Sequence, residues 1–489
     1  QYSTSWNAHC AHESLQRFLM KLLIYITLLS STFSFGQAEI GRLYEELPSD
    51  SIVERGAQTH TSLKPQIRQA NFAKNYLRFS VLGDLNYVQR EVLNYKLGLG
   101  GEVSAVLNDK WYFQAAAIQG MSNLDSIFEP KSYGSIAQPN ATVLYTDIRS
   151  RVSYTPNHIF NFQIGLDHNF IGEGSRSLFL SDYGKPYPFG LIRAKFWRFE
   201  YSVLYQFMKE RDQNRWEGKF ASSHHISFNP AKWLNIGIFE SVIFQPKDTL
   251  LQRGFDVEYL NPVVFYRPQE YSLGSSDNVL LGLEISGHIT DRHTIYSQVV
   301  LDEFYLAELR AKTGWWANKF GAQLGVKGRF EVGKHRFFYR TEYNFVRPYT
   351  YSHISEELNH GNQGYSLAHP YGSNFMEILG ELKWNLNKWN AKLFVNYAVK
   401  GEDKDGFSYG GDPYQSYVNR PNEYGNYTGQ GKQVNRFNAI FSGSYRIMEQ
   451  GNLHVFMENH FRFGTNQPSM NYMLVVGVRS QLWNDYRNY

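Results

Sequence analysis

The sequence has very little cysteine and no long apolar stretch beyond its N-terminal region. Cys10 is the only cysteine among 489 residues, so the rest of the chain has no disulfide framework, thiolate metal site or lipid-anchor cysteine. After residue 36 no run of apolar residues is long enough for a transmembrane helix. The formal charge is only +4, without a basic run, which gives no basis for nucleic-acid binding.

Motifs for catalytic and cofactor chemistry are also missing. The sequence contains no phosphate-binding glycine loop, paired zinc-ligand spacing or dinucleotide fingerprint. Asp167, His168 and Ser175 lie close together in the sequence, but the members of a catalytic triad come from distant segments. The stretch Asp403–Gly406 has too few of the ligand positions of a calcium loop. We therefore expect no enzymatic activity, no cofactor and no metal site.

What the chain has in abundance is aromatic residues and a two-residue periodicity. Tyr, Phe and Trp make up 16% of the residues, which suits the aromatic girdles of a membrane barrel. From about Tyr76 to Trp483, roughly eighteen runs alternate apolar and polar residues. The mean hydropathy of −0.45 is compatible with a membrane barrel, because only alternate residues would meet lipid. Charges of both signs occupy the second face, so we expect lipid outside and a polar lumen inside.

The gaps between these runs differ in length in a regular way. Numbered in chain order, every long gap follows an odd run and every very short gap follows an even run. The long gaps are 122–141, 168–189, 245–278, 346–373 and 400–432. Long loops at one rim and tight turns at the other are typical of outer-membrane barrels. We predict an all-β fold, a transmembrane antiparallel up-and-down β-barrel of about 18 strands over residues 76–489 with long extracellular loops.

The N-terminal region has the features of a secretory signal peptide. Residues 20–36 combine a basic start, a short apolar stretch and small residues before a cleavage position; a buried N-terminal helix is the alternative. We expect residues 1–19, which contain no initiating Met, to be non-native upstream sequence. Residues 37–75 show no strand pattern, and we expect a short periplasmic segment or one that folds back into the lumen. The expected location is the outer membrane of a Gram-negative bacterium, with the loops facing outside.

Two of the long loops, 346–373 and 400–432, combine aromatic rings with Arg, His and Asn. Flat rings with a polar handle suit the apolar faces and hydroxyl groups of polysaccharide. The candidate glycan-binding residues are Arg347, Tyr349, Tyr351, His353, Tyr365, His369, Tyr371, Asn374, Tyr409 and Tyr414. The Tyr and Pro residues could instead stiffen folded loops into a plug, and the two interpretations are compatible. The expected partners are outer-membrane lipid and surface polysaccharide, and no nucleic acid.

A second set of candidates is a charge network on the inward face of the barrel. Its members are Arg336, Arg340, Glu342, Glu458, His460 and Arg462. Salt bridges across the lumen would close the pore, whereas separate charges would line a conductive one. The sequence leaves both possibilities open.

Several motifs, in one order along the chain, are similar to those of a known family. They are Asp167-His168-Asn169 with Gly172-Glu173-Gly174, Ser177–Ser181, Asn261-Pro262 with Tyr266-Arg267-Pro268, Ser275–Asn278, Gln298–Glu303, Arg347–His353 and His369–Phe375. Over roughly residues 160–480 the sequence resembles the capsule-assembly outer-membrane proteins of the Wzi type. The resemblance is closest to the branch in gliding Bacteroidetes, whose members are called gliding-motility proteins of the RemB type.

This resemblance implies an eighteen-stranded barrel that attaches capsular polysaccharide to the cell surface, with gliding or secretion machinery as a further partner. The Wzi type carries a periplasmic helical bundle, whereas residues 37–75 offer one short helix at most. We expect a protein that binds or organises capsular or exopolysaccharide and supports gliding motility and adhesion. The alternatives are an outer-membrane porin or uptake channel, and an outer-membrane hydrolase.

Overall fold

A computed structural model describes most of the predicted barrel. The described residues are 75–89, 93–108, 110–123, 134–137, 142–157, 159–212, 215–246, 254–261, 277–449, 452–465 and 467–480. The predicted upstream segment 1–19, the predicted signal peptide 20–36 and all but the last residue of the predicted segment 37–75 lie outside them.

Eighteen antiparallel strands form the wall. The first nine are β1 (Asn75–Gln89), β2 (Leu93–Leu107), β3 (Trp111–Ser122), β4 (Val143–Tyr154), β5 (Phe160–Asp167), β6 (Tyr187–Phe196), β7 (Phe199–Asp212), β8 (Arg215–Ala231) and β9 (Leu234–Phe244). The second nine are β10 (Asn278–Thr290), β11 (His293–Glu303), β12 (Lys319–Val332), β13 (His335–Val346), β14 (Phe375–Leu386), β15 (Trp389–Glu402), β16 (Lys432–Met448), β17 (Leu453–Gly464) and β18 (Gln467–Ser480).

The sheet closes on itself between its first and last strands. β1 pairs with β2 along its whole length and with β18 from Asp84↔Arg479 to Gln89↔Leu474. A closed sheet has no free edge and satisfies its backbone groups internally, which is the condition for spanning a membrane with strands. The predicted fold class and strand number are confirmed.

One strand is shorter than its neighbours and leaves part of the wall to a loop. The pairing of β5 with β4 stops at Ser150↔Leu166. Beyond that point a short extra strand, Gly134–Ala137, pairs with the Val143–Thr146 part of β4. Because β5 ends at Asp167, the chain leaves the wall there and turns into the lumen.

The alternation of side chains along the strands follows the predicted faces. On β15, Leu393 and Tyr397 are exposed on the outside, whereas Phe394 and Asn396 are buried inside. Successive side chains of a strand point to opposite faces, so the lipid side and the lumen side are read directly from the sequence.

The loop pattern is confirmed for the long connections and wrong for some short ones. All long connections follow odd strands. However, the strand bounds leave only 90–92 after β1, 213–214 after β7 and 465–466 after β17. An antiparallel pair needs only a tight turn at either rim, so barrel topology permits long loops at one rim but does not require them.

Helices are few and short in the described part of the chain. They are the α-helix Leu306–Ala311 and the 3-10 turns Val257–Leu260, Glu356–Leu358 and Tyr417–Asn419. None of the described helices has the length and apolarity to cross a membrane.

Candidate functional site

The connection between β5 and β6, residues 168–186, folds into the lumen, and we call it the plug loop. Its residues Leu178 and Phe179 are fully buried. The Phe179 ring stacks on Phe239 of β9 with the ring centroids 4.9 Å apart. Gly282 of β10 leaves room for the ring, since a Cβ there would lie 2.5 Å from it. The plug loop thus packs against wall strands well beyond the two that it connects.

A buried ion pair fixes the middle of the plug loop. Arg176 Nη2 lies 3.2 Å from Glu377 Oε1 of β14, and both side chains are fully buried. His369 donates from Nε2 to Glu377 Oε2 at 2.8 Å, while its Nδ1 accepts from the backbone N–H of Tyr371. A buried charge is stable only beside an opposite charge with its remaining hydrogen-bonding positions filled. The position of Arg176 is therefore determined by the wall.

Glu342 of β13 provides a second anchor through its carboxylate. It accepts hydrogen bonds from the backbone N–H groups of Ser175 at 2.8 Å and Arg176 at 3.2 Å. The hydroxyl of Tyr296 donates to the same carboxylate at 2.9 Å. Backbone amides of an irregular segment need such partners when they are buried, and Glu342 supplies them.

The side chain of Gln298 on β11 makes hydrogen bonds to the plug-loop backbone, as a neighbouring strand would. Its Nε2 donates to the carbonyl of Ile171 at 3.1 Å, and its Oε1 accepts from the N–H of Leu178 at 3.0 Å. An ion pair between Glu173 and Lys327 of β12 adds a further contact. The plug loop is therefore attached to β11, β12, β13 and β14.

The structure does not assemble Asp167, His168 and Ser175 into a catalytic triad. Asp167 Oδ2 lies 3.3 Å from Arg151 Nη2 of β4, and His168 Nε2 contacts the carbonyl of Gly184 at 3.1 Å. Burial lowers the pKa of His168 to about 4, so its ring is neutral at physiological pH. Residues 175 and 176 of this stretch instead donate backbone hydrogen bonds to Glu342.

The loop between β13 and β14, residues 347–374, packs on the plug loop. The Tyr351 hydroxyl donates to the carbonyl of Leu178 at 2.8 Å, and His360 Nε2 donates to the carbonyl of Phe179 at 2.7 Å. The Ser181 backbone N–H donates to the carbonyl of Leu367 at 2.7 Å. These bonds join the two loops through backbone groups that neither loop satisfies alone.

The loop between β15 and β16, residues 403–431, packs in turn on loop 347–374. The Tyr349 hydroxyl donates to the carbonyl of Ser408 at 2.9 Å. Asn374 donates from Nδ2 to the carbonyl of Gln430 at 3.0 Å and accepts from the N–H of Gly429 at 2.7 Å. The three loops therefore form one layered assembly at the loop rim and in the lumen.

Most of the predicted glycan-binding side chains lie inside this assembly. Those that are buried are Tyr349, Tyr351, His353, His369, Tyr371 and Asn374, and those that are partly exposed are Arg347, Tyr365, Tyr409 and Tyr414. In this conformation the first group has no surface to offer a polysaccharide. A ring with one polar atom can satisfy a buried hydrogen bond as well as stack on a sugar, so composition does not separate the two roles.

The contacts described for the predicted lumen charges fall into two groups. Arg340 Nη1 lies 3.4 Å from Glu381 Oε2, beside Glu342 under the plug loop. On β17, Glu458 contacts His460 at 3.2 Å and Arg479 of β18, and Arg462 is buried on the same face.

Arg336 does not belong to the buried charges. Its side chain is 47% exposed, with Nε 3.9 Å from Glu331 Oε1. Arg336 is the second residue of β13, so the side chain lies at the short-turn rim although its parity points inward. The prediction for Arg336 is wrong for this reason. Among the described residues, no group of three or more His, Cys, Asp or Glu is arranged to hold a metal ion.

A group of side chains on the loop rim was not among the residues predicted from the sequence, and we call it the aromatic ridge: Tyr305, Trp315, Trp316, Tyr417 and Arg420. The Arg420 guanidinium lies 4.0 Å from the Trp316 ring centroid. The Trp316 and Tyr417 rings are 4.6 Å apart, and Tyr305 contacts Trp315 edge-on at 6.1 Å. Tyr305 is exposed and the other ridge members are partly exposed.

The ridge is built where loop 304–318 meets loop 403–431. The Trp316 N–H donates to the carbonyl of Glu423 at 3.0 Å, and the Gly425 N–H donates to that of Thr313 at 2.9 Å. The exposed rings of Tyr424 and Tyr427 continue the surface. The tryptophans lie in a connection of only intermediate length, so the adjacent pair Trp315-Trp316 was the one available signal.

The sequence matches no protein-family model and no curated protein. Among solved structures, the fold is similar to that of Wzi, described as an outer-membrane protein involved in group 1 capsule assembly in Escherichia coli and as a carbohydrate-binding β-barrel. The two chains are 13% identical, the match covers 82% of this chain and 83% of that one, and the TM-score is 0.55.

Two porin-type barrels are more distant in structure. OprD of Pseudomonas aeruginosa is 10% identical with a TM-score of 0.41, over 82% of this chain and 94% of that one. OccAB2 of Acinetobacter baumannii is 10% identical with a TM-score of 0.42, over 83% and 96%. The fold is thus that of outer-membrane β-barrels, and the resemblance to gliding-motility proteins stays a prediction.

Proposed function

We propose that this protein is a non-enzymatic outer-membrane protein that binds capsular or exopolysaccharide at its extracellular rim and retains it at the cell surface. The observation that carries the proposal is the aromatic ridge. It presents exposed and partly exposed rings and a guanidinium on the rim where the long loops lie. Rings with an apolar face and directional donors are the chemistry that sugar rings with many hydroxyls require.

The plug loop supports a binding role over a transport role. A channel needs a continuous aqueous path, whereas residues 168–186 cross the lumen and are held there by the buried pair Arg176–Glu377 and the partly buried pair Glu173–Lys327. The buried loop residues contribute to binding indirectly, because they hold the rim loops in one conformation. A rigid rim lowers the entropy lost on binding.

The similarity to Wzi supports polysaccharide as the ligand, since that barrel is described as carbohydrate-binding and as involved in capsule assembly. The sequence resemblance to gliding-motility proteins extends it. Retained polysaccharide would support adhesion and gliding, and gliding or secretion machinery would be a partner of the same surface.

The test compares cells that lack the gene with cells that carry it, measuring polysaccharide on the cells and in the medium. Deletion is expected to move polysaccharide into the medium without lowering the total. Complementation with Tyr305→Ala combined with Trp316→Ala is expected to fail, whereas Lys404→Ala, at an exposed loop position, is expected to succeed. Unchanged retention after deletion would contradict the proposal.

A binding measurement tests the ridge without the cell. Purified protein in detergent is titrated with capsular polysaccharide from the same cells, and tryptophan fluorescence is followed. Loss of one stacked ring is expected to weaken binding by about 1 kcal/mol, roughly fivefold. Equal affinity of the ridge variant and the wild type would place the glycan elsewhere.

A further inference from the structure

One sector of the outer wall, on β7 to β10, is covered by protein instead of facing outward. The inward faces of these strands are identified by Met208, Ala221, Ile243 and Leu280, which pack in the core together with the plug loop. Alternate residues must therefore point outward. Among them Val242 and Val279 are only 0% and 4% exposed, whereas Leu283, four residues after Val279 on the same face, is 43% exposed.

The cover is part of the connection between β9 and β10, residues 254–261, which we call the outer flap. Its Tyr259 is fully buried against Val242, Phe244 and Val279. The Ser222 hydroxyl of β8 donates to the carbonyl of Tyr259 at 2.9 Å. The flap therefore descends along the outside of the wall.

The Phe255 ring marks the upper end of the flap, and Leu260 marks its lower part. Phe255 packs on Phe220 and Phe244, each at 5.2 Å between centroids. The Tyr205 hydroxyl of β7 donates to the carbonyl of Leu260 at 2.9 Å.

Next to the flap, on the same outward face, lies a row of buried polar side chains that would otherwise meet lipid. His224 and Glu240 are outward neighbours in the β8–β9 register, and both are buried. The Tyr201 hydroxyl lies 3.1 Å from His224 Nδ1. Ionisable groups on the lipid side of a barrel are destabilising in a depth-dependent way, so this row requires its cover.

The flap reaches into the hydrocarbon layer. His224, whose side chain lies close to the backbone of Asn261, is four residues from Phe228. The Phe228 ring stacks on Phe199 with the centroids 4.5 Å apart. Both rings lie beside the short turns that follow β6 and β8. Four residues of strand span about 13 Å, and at a tilt of about 40° this is about 10 Å of height within the apolar band of about 25 Å of such barrels.

Irregular backbone at this depth is tolerated only where protein covers it or water reaches it. The outer side of the flap carries Val257, 72% exposed, and Leu260, 44% exposed, which a 3-10 turn places on one side. Between them, Glu258 is exposed. Hydrocarbon does not solvate a carboxylate, and anionic head groups repel it. A protein surface that carries a cation would cover the exposed apolar side chains and pair with the carboxylate.

We propose that a second copy of this chain docks on this sector, with the two outer flaps at the centre of a two-fold interface. The sector carries the complementary charge itself: Lys209, at the upper end of β7, is outward-facing and exposed. Within the described residues, neither Lys209 nor Glu258 is engaged in an ion pair. In a two-fold interface the same patch meets itself, so Glu258 of each protomer would face Lys209 of the other.

The test uses the full chain in native outer membranes, with Cys10→Ser as the background and Val257→Cys as the probe. Mild oxidation is expected to give a disulfide-linked species of twice the monomer mass. Leu393→Cys is the matched control, because Leu393 is an outward residue with 41% exposure on β15, and it is expected to remain monomeric.

Charge variants then distinguish cross-linking at a specific interface from cross-linking by random collision in the membrane. Glu258→Lys alone and Lys209→Glu alone are each expected to lower the Val257→Cys dimer fraction at least tenfold, and the two together are expected to restore it. Restoration also shows that neither substitution is incompatible with a folded barrel. A monomeric Val257→Cys protein, cross-linking only to a chain of another mass, or equal cross-linking at Leu393→Cys would overturn the proposal.

Discussion

Arg176 and Glu377 are 201 residues apart in the sequence and form a fully buried ion pair of 3.2 Å inside the barrel. His369 occupies the second carboxylate oxygen of Glu377. The plug loop, loop 347–374 and wall strand β14 are thus joined at one carboxylate. We expect this point to control both the closure of the lumen and the shape of the loop rim.

Neutralising this carboxylate is expected to destabilise the barrel strongly. In Glu377→Gln, Arg176 stays buried without its opposing charge, and the loss is expected to be about 3–5 kcal/mol. Thermal unfolding in detergent measures the change. Lys404→Ala, which removes an exposed pair with Asp405, is the control and is expected to leave the melting temperature unchanged. A double variant, Arg176→Met with Glu377→Leu, should be more stable than Glu377→Gln, and the reverse order would contradict this account.

The contact between the two rim loops is expected to depend on Gly410. This residue has φ of +73°, and a Cβ there would lie 2.3 Å from the backbone nitrogen of Tyr349. Gly406→Ala is the matched control, because Gly406 has φ of +80° and nothing within 4 Å. Both substitutions carry backbone strain of about 1 kcal/mol, but only Gly410→Ala should also separate the loops. Limited proteolysis within 403–431 is expected to accelerate only in Gly410→Ala, and equal rates would contradict the packing.

Acidification is expected to destabilise the loop assembly. Burial lowers the pKa of His353, His360 and His369 to about 4 each, from about 6.5. Between these values the unfolded chain binds protons that the folded one does not, so stability falls as the pH drops from about 6.5 to about 4. About one pH unit above 6.5 the unfolded chain no longer binds these protons, so the pH dependence from these groups ends there.

Melting temperatures measured across that range check the slope. His360→Gln keeps a donor for the carbonyl of Phe179 and removes one titrating ring, so its slope should be shallower than that of the wild type. An identical slope would exclude His360 as a contributor.

Removing the plug is expected to open the barrel. Wild-type protein in planar lipid bilayers should show little conductance, whereas replacing residues 170–183 with a short Gly-Ser linker should give discrete conducting steps. The wall strands satisfy their own ladder, so the closed sheet should survive the replacement. Heat-modifiable migration on a gel verifies that the barrel is folded. Large wild-type conductance would contradict closure by the plug loop.

Much of the fold was predictable because it depends on local pattern. The two-residue alternation, as along Leu393, Phe394 and Val395, assigns each side chain to lipid or lumen without knowledge of its neighbours. Strand number and loop sides follow from counting these runs. The short connections after β1, β7 and β17 and the exposure of Arg336 were not predicted. Residue parity encodes neither the length of a loop nor the position of a residue relative to the rim.

The candidate site was less predictable because its residue types serve two purposes. Tyr351 and His369 have the composition of a sugar site, yet their polar atoms bond to Leu178 and Glu377 in the interior. Which rings are buried depends on contacts over long sequence separations, such as that between Arg176 and Glu377. Trp316 becomes a surface candidate only because Arg420 and Tyr417 are brought over it from another loop.

The sequence by itself determined that this chain forms a closed barrel of alternating strands, because lipid outside and a polar lumen inside impose that period on every strand. Tertiary structure alone decided that one loop fills the lumen, that two others pack over it and that the outer flap covers Val242 and Val279. Those outcomes depend on contacts between residues far apart in the sequence, such as Arg176 with Glu377 and Tyr259 with Val279, and no local pattern carries that information.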